Sequence, residues 1–233
     1  MRLNKYLAHC GVDSRRNCDQ YVQRGRVQVN GEIEVNPARR VEPGDVVLFD
    51  GEQQKLEKHV YYKYHKPVGQ ASTLDDPHIK NTLEKVVAEV SQRIYPVGRL
   101  DADSRGLLLL TNDGNLSHRL SHPRYGIAKT YCIELHEEPT PAVLKIMSTR
   151  GVHLDGRQTM PLEVVSRAGK NLTVKLREGR NRQLRRMFEK FDYEIVDLLR
   201  TAIGPLELGD MRPGELKELD EETLEKIREE AYE

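Results

Sequence analysis

Cysteine is scarce in this 233-residue chain and odd in number: Cys10, Cys18 and Cys132, with no CxxC pair. That excludes a disulfide scaffold and a structural zinc ribbon, and it fits a reducing, cytoplasmic home. No apolar run approaches the roughly 20 residues that a spanning helix needs. The N-terminal MRLNKYLAHCG has no apolar stretch ahead of a small-residue cleavage site, so secretion is not expected. The glycine-rich loops of nucleoside triphosphate and dinucleotide sites are missing too. His118 and His122 have the four-residue spacing of a zinc pair, but no HExxH motif or third ligand accompanies them, and no metal is expected.

Charge is plentiful, and its balance hides an asymmetry. Lysine and arginine total 37, as do aspartate and glutamate. Residues 206–233 hold eleven acids against four bases, which leaves 33 bases against 26 acids, a net of +7, on residues 1–205. A basic body masked by an acidic end suits a polyanion binder, although a mixed solubilising surface gives the same count.

Apolar spacing at Leu3, Tyr6, Leu7 and Cys10 predicts a short helix stopped by Gly11. Ser14 is placed to cap a second helix that ends at Gly25. VQV, the pair Asn30-Gly31 and EIEV read as a hairpin with a type I′ turn, and DVVLF (45–49) as a further strand. Two short helices followed by small strands give a first domain over 1–50. The polar stretch to residue 60 reads as a linker (51–60), and a second, mixed domain covers 61–233. In the second domain Asn81 and Glu84 have the spacing of a capping box for a helix with Leu83, Val86, Val87 and Val90 on its apolar face. Leu107 to Leu110 read as a buried strand, and Thr140-Pro141 as a helix start with Gly151 as its stop.

Three features carry candidate chemistry. In the first domain Arg15, Arg16, Arg24, Arg26, Arg39 and Arg40 surround the second helix and the hairpin. Arginines so placed can hold phosphate through bidentate hydrogen bonds. In GRLDADSRG, Asp101 stands at the rim of a predicted strand and is a candidate active-site acid. An aspartate beside a turn more commonly caps it, and Asp101 with Asp103 could also face a metal, so the segment alone leaves these readings open. In EGRNRQLRRMF, residues Leu184, Met187, Phe188 and Phe191 form one apolar stripe, with Arg185 on its flank and Arg182 and Arg186 opposite. Asn181 is a candidate N-cap for that helix.

The segment LNKYLAHCGVDSRRNCDQYVQRGRVQVNG, with the PGD before the last strand, resembles the S4-like RNA-binding domain over residues 2–49. Further on, HKPVG (65–69), YPVGRLDADSRGLLLLTNDG (95–114), KTY (129–131) and EGRNRQLRRMF (178–188) resemble, in this order, the rRNA pseudouridine synthases of the RsuA/RluB type. His65, where the family usually has Asn, and Gln70-Ala71 depart from the pattern beside the first motif. The resemblance implies an α+β chain. A small α/β S4-like domain precedes a mixed, largely antiparallel β-sheet catalytic domain with flanking helices. It implies isomerisation of uridine to pseudouridine in ribosomal RNA with no cofactor. Asp101 is then the catalytic carboxylate, Tyr131 the residue that stacks on uracil, and Arg185 the cation that keeps Asp101 charged. Lys66, Arg99, Arg180, Arg182 and Arg186 join the six N-terminal arginines as expected RNA contacts. The expected partner is ribosomal RNA or a subunit assembly intermediate, met by a monomer. Asn-Arg-Gln at 181–183 leans towards a large-subunit target, since small-subunit relatives more often show Tyr-His-Gln. A non-catalytic RNA-binding or assembly factor, and a hydrolase built on Asp101 and Asp103, are the competing readings.

Overall fold

A computed structural model describes residues 1–76 and 78–232, which divide into two units: Met1–Val60 with Glu89–Ile94, and Tyr61–Ala88 with Tyr95 onward.

In the first unit, α1 (Leu3–His9) and α2 (Arg15–Gln23) precede β1 (Val27–Val29), β2 (Glu32–Ile33), β3 (Val47–Phe49) and β4 (Glu52–Gln53). Ser14 caps α2 by accepting from Asn17 N at 3.2 Å. Asn30 and Gly31 both take positive φ, 55° and 86°, as a type I′ turn requires. The strands pair antiparallel in the order β2-β1-β3-β4. Leu3, Leu7, Cys18, Val22, Val27 and Val47 form the core between helices and sheet. Residues 52 and 53, within the stretch read as linker, pair with β3 and extend this sheet.

The second unit contains β5 (Tyr61–Lys66), α3 (Glu84–Val87), β6 (Tyr95–Pro96), β7 (Arg105–Thr111), α4 (Gly114–Ser121), β8 (Lys129–Leu135) and α5 (Pro141–Thr149). It continues with β9 (His153–Leu154), β10 (Arg157–Gln158), β11 (Glu163–Ala168), β12 (Asn171–Leu176), α6 (Gln183–Glu189), β13 (Ile195–Ile203), β14 (Leu206–Glu207), β15 (Leu216–Glu218) and α7 (Glu221–Tyr232). Among the described residues a nine-stranded sheet runs β11-β12-β8-β13-β7-β5-β15, with β14 beside β13 and β6 beside β7. Its pairs are antiparallel except β13 with β7. The expected mixed, largely antiparallel sheet is therefore present. Leu107 to Leu110 are fully buried because helices and loops cover both faces of β7. Gly106 is required where β7 meets β13: a Cβ there, at φ +113°, would lie 2.3 Å from Arg200 O. One core packs α5 and α6 on the β8–β12–β13 side, and a second packs α4 and α7 on the β7 side.

Two expected helix starts are corrected. Asn81 does not cap α3. Its amide donates to Gly69 O at 3.0 Å, Thr82 Oγ1 accepts from Glu84 N at 3.3 Å, and the helix ends at Val87, short of Val90. Asn181 does not cap α6 either; Arg182 occupies that position in the left-handed region, at φ 48°. Thr140 does cap α5, ahead of Pro141.

Candidate active site

The loop between β6 and β7 turns at residues 101–104, where Ser104 N donates to Asp101 O at 3.1 Å. Asp101 is half-buried and opens into a cleft of about 250 Å³, lined also by Gly98, Tyr131, Leu176, Arg182 and Leu198. Tyr131 reaches the cleft from β8, with its ring partly buried against the β8–β12–β13 core. The structure thus brings together a carboxylate and a flat aromatic side chain from segments 30 residues apart.

The arginine partnership differs from the expectation. Arg185 is buried on the flank of α6, as the apolar stripe implies, but its carboxylate partner is Asp103 and not Asp101. Its Nε lies 3.2 Å from Asp103 Oδ2, its Nη2 donates to Asp103 O at 2.9 Å, and its Nη1 donates to Ile195 O at 2.8 Å. Arg182, expected to face solvent or RNA, donates to the same Asp103 Oδ2 at 2.8 Å. Partial burial works against the Asp103 charge, but the Arg182 hydrogen bond and the two guanidinium charges outweigh it and hold its carboxyl below the usual range. Asp101 and Asp103 sit in a turn rather than on a strand, and Asp103 is taken up by arginines, so the two do not form the open carboxylate pair a metal would use.

The burial of Lys66 corrects its place among the expected RNA contacts. It is fully buried at the end of β5, and its ammonium donates to Pro67 O at 2.9 Å and Gln70 O at 2.8 Å. Burial pushes the ammonium down to about 8, opposed by the charges of Asp101 and Asp103 and reinforced by Arg200. Lys66 is therefore an interior cation within electrostatic reach of Asp101 and Asp103. Lys129 is likewise pushed down to about 8, first by burial and then by Arg200.

The RNA pseudouridylate synthase family pattern matches residues 60–190, and the S4 domain pattern matches residues 1–47. The ribosomal large subunit pseudouridine synthase B of Bacillus subtilis (strain 168) is 36% identical, across 97% of this chain and 95% of that protein. The dual-specificity RNA pseudouridine synthase RluF of Escherichia coli (strain K12) is also 36% identical, across 96% of this chain and 77% of the relative. A crystal structure of a pseudouridylate synthase superposes with a TM-score of 0.69 at 28% identity, covering 97% of this chain and 99% of that one. The chain belongs to the RNA pseudouridylate synthase family.

In this RNA pseudouridylate synthase the expected RNA-contact arginines fall into two groups. Arg15, Arg16, Arg24 and Arg40 are exposed, with no side-chain partner among the described residues, and Arg99 is exposed at the cleft rim. The others are already engaged. Arg26 pairs with Asp50 and stacks over Tyr21 and Phe49. Arg39 lies 3.6 Å from Glu34. Arg180 donates to the carbonyls of Leu154, Arg157 and Gln158, and Arg186 is paired with Asp155, so both tie the β9–β10 hairpin to the arginine segment. Arg200 carried no signal in the sequence, and Asp103, read there only beside Asp101 for a metal or a hydrolase, is the carboxylate that Arg182 and Arg185 meet. The charge run at 180–186 was itself a signal that a carboxylate elsewhere should answer it.

Proposed function

We propose that this synthase converts a defined uridine of ribosomal RNA, in the large subunit, to pseudouridine, with Asp101 as the catalytic carboxylate. The reading rests on one observation above all: the Asp101 carboxylate and the Tyr131 ring open into one cleft that has room for a base but not for a helix. The target nucleotide must therefore leave its stack, at a cost of a few kcal/mol. Tyr131 offers the flipped uracil a flat face. Asp101 attacks the nucleoside or removes a ribose proton, the N1–C1′ bond breaks, the base turns, and C5 bonds to C1′. The C5 hydrogen leaves as a proton and N1 takes one up, so the product is an isomer and no redox partner or group donor is consumed.

The large-subunit target is supported by the name of the Bacillus relative and by Asn-Arg-Gln at 181–183. Dual specificity, as named for the Escherichia coli relative, is the second reading. We assign residues 1–50 to RNA docking, through the exposed Arg15, Arg16, Arg24 and Arg40. Residues 51–60, which begin by extending the sheet of that unit, lead on to the catalytic residues 61–233. The protein acts as a cytoplasmic monomer on rRNA or an assembling subunit. Among the described residues no helix is long and apolar enough to cross a membrane.

The test is tritium release from uracil C5 together with pseudouridine mapping in both rRNAs, with and without the gene. Asp101→Asn should abolish release while RNA affinity stays within about threefold, since only the charge that drives the chemistry is lost. Wild-type turnover by Asp101→Asn would refute the catalytic assignment, and a site lost from small-subunit rRNA would refute the target.

A further inference from the structure

Among the described residues none donates a hydrogen bond to the Asp101 carboxylate, which leaves it free to react but leaves its aim to the backbone alone. That backbone lies outside regular structure, and it is gripped from several elements. Gly69 N donates to Ala102 O at 2.7 Å, Arg185 Nη2 to Asp103 O at 2.9 Å, and Arg200 Nη1 to Arg99 O at 3.4 Å. The residue directly before Asp101 is held differently. Ser72 Oγ donates to Leu100 O at 2.8 Å and accepts from Leu100 N at 3.1 Å, so one hydroxyl satisfies both backbone groups of a single residue. Both bonds are buried, and Ser72 itself is 8% exposed, so water cannot replace the hydroxyl readily. A two-point grip on Leu100 fixes the peptide plane on either side of its Cα, and with it the direction in which the Asp101 Cα–Cβ bond leaves the chain.

We propose that Ser72 is a positioning residue for the isomerisation: its hydroxyl sets the orientation of Asp101 through the backbone of Leu100. This rests on Asp101 being the catalytic carboxylate. Ser72 does not line the cleft, so its loss should spare RNA binding and fall on the chemical step. Misplacing a reacting group by about 1 Å can cost on the order of a hundredfold in rate.

The experiment measures single-turnover tritium release at saturating RNA, and RNA dissociation constants, for the full chain and five variants. Ser72→Ala should lower the rate at least about tenfold with affinity within about twofold. Ser72→Thr, which retains the hydroxyl, should stay within about threefold of wild type. Thr140→Ala removes a helix cap remote from the cleft and should leave the rate unchanged, which separates loss of aim from loss of stability. If Ser72→Ala does not fold, Ser72→Cys takes its place, keeping the volume with a weak hydrogen-bonding group, and the same loss is expected. A wild-type rate in Ser72→Ala, a defect confined to affinity, an equal loss in Thr140→Ala, or a Ser72→Thr variant as slow as Ser72→Ala would each overturn the proposal. Asp101→Asn in the same assay keeps the two ideas apart: if it retains activity, the carboxylate assignment fails whatever Ser72 does.

Discussion

Asp103→Asn is the perturbation that most directly probes the electrostatics of the cleft. The substitution keeps the side-chain volume and one acceptor oxygen but removes the charge that two arginines share. Arg185 decides the magnitude, because its side chain is 9% exposed while that of Arg182 is 40% exposed. Removing one partner of a fully buried pair typically costs about 3–5 kcal/mol, and an exposed pair contributes about 0–1 kcal/mol. The Asp103 side chain is 45% exposed, and Arg185 keeps its bonds to two carbonyls, so a loss of about 1–2 kcal/mol at pH 7 is expected. The pH dependence has a definite sign. The folded-state carboxyl is held below its ordinary value, so the stabilisation is complete above that ordinary value and fades as the pH falls through the depressed one. The gap between wild type and Asp103→Asn, measured by urea unfolding, should therefore shrink on acidification from pH 7 towards the folded-state value. Single-turnover rate should fall several-fold, since α6 then holds the loop that carries Asp101 without the charge pairing and chiefly through the Arg185 bond to Asp103 O. A gap below about 0.3 kcal/mol at pH 7, or one that widens on acidification, would show that Asp103 is not what holds these arginines.

Two further outcomes follow from the same unit. Lys66→Met should reveal the burial of its ammonium: the folded-state value is below the unfolded one, so wild-type stability gains with pH across the window from about 8 to 10.5. The difference between wild type and variant should move in the wild type's favour by as much as roughly 3 kcal/mol over that window, and a pH-independent difference would contradict it. Gly106→Ala forces a Cβ against the Arg200 backbone at a positive φ, a cost of about 3 kcal/mol or more. It should lower the unfolding midpoint by about 10 °C, and a drop under about 2 °C would mean that β7 and β13 separate easily.

Much of the local structure was legible in the sequence because it is set by neighbouring residues. Ser14, Thr140-Pro141 and Asn30-Gly31 each act within three positions of themselves, and each behaves as its type predicts. The helical period also placed Arg185 correctly at the edge of the core. What a helical wheel cannot give is which carboxylate meets it, because Asp103 arrives from 82 residues away and competes with Asp101 two positions off. The same limit explains Arg26, Arg180 and Arg186, which read as free cations in their own segments but are neutralised or bonded by groups 22 to 31 residues distant. Lys66 reads as a surface cation by type, and only the fold puts it in the interior. Ser72 carries no sequence signal, being a single serine in a loop whose role depends on the backbone of Leu100, 28 residues away.

The strand order also bears on how the enzyme comes into being. Strands β11, β12 and β8 form one half of the large sheet and β7, β5 and β15 the other, and among the described residues β13, at residues 195–203, is the only strand that joins them. Tyr131 and Asp101 lie on opposite sides of that seam, so the distance between aromatic ring and carboxylate does not exist until β13 inserts. A nascent chain released before Ile195 would present two fragments with open edges where β7 and β8 await a partner, and such edges are templates for intermolecular pairing. Insertion closes contacts nearly a hundred residues apart, Arg105 with Asp197 among them, so the loop-closure cost falls before the contacts repay it. Neither half of the sheet alone fixes the interval between ring and carboxylate; β13, made after β7 and β8, is what sets it.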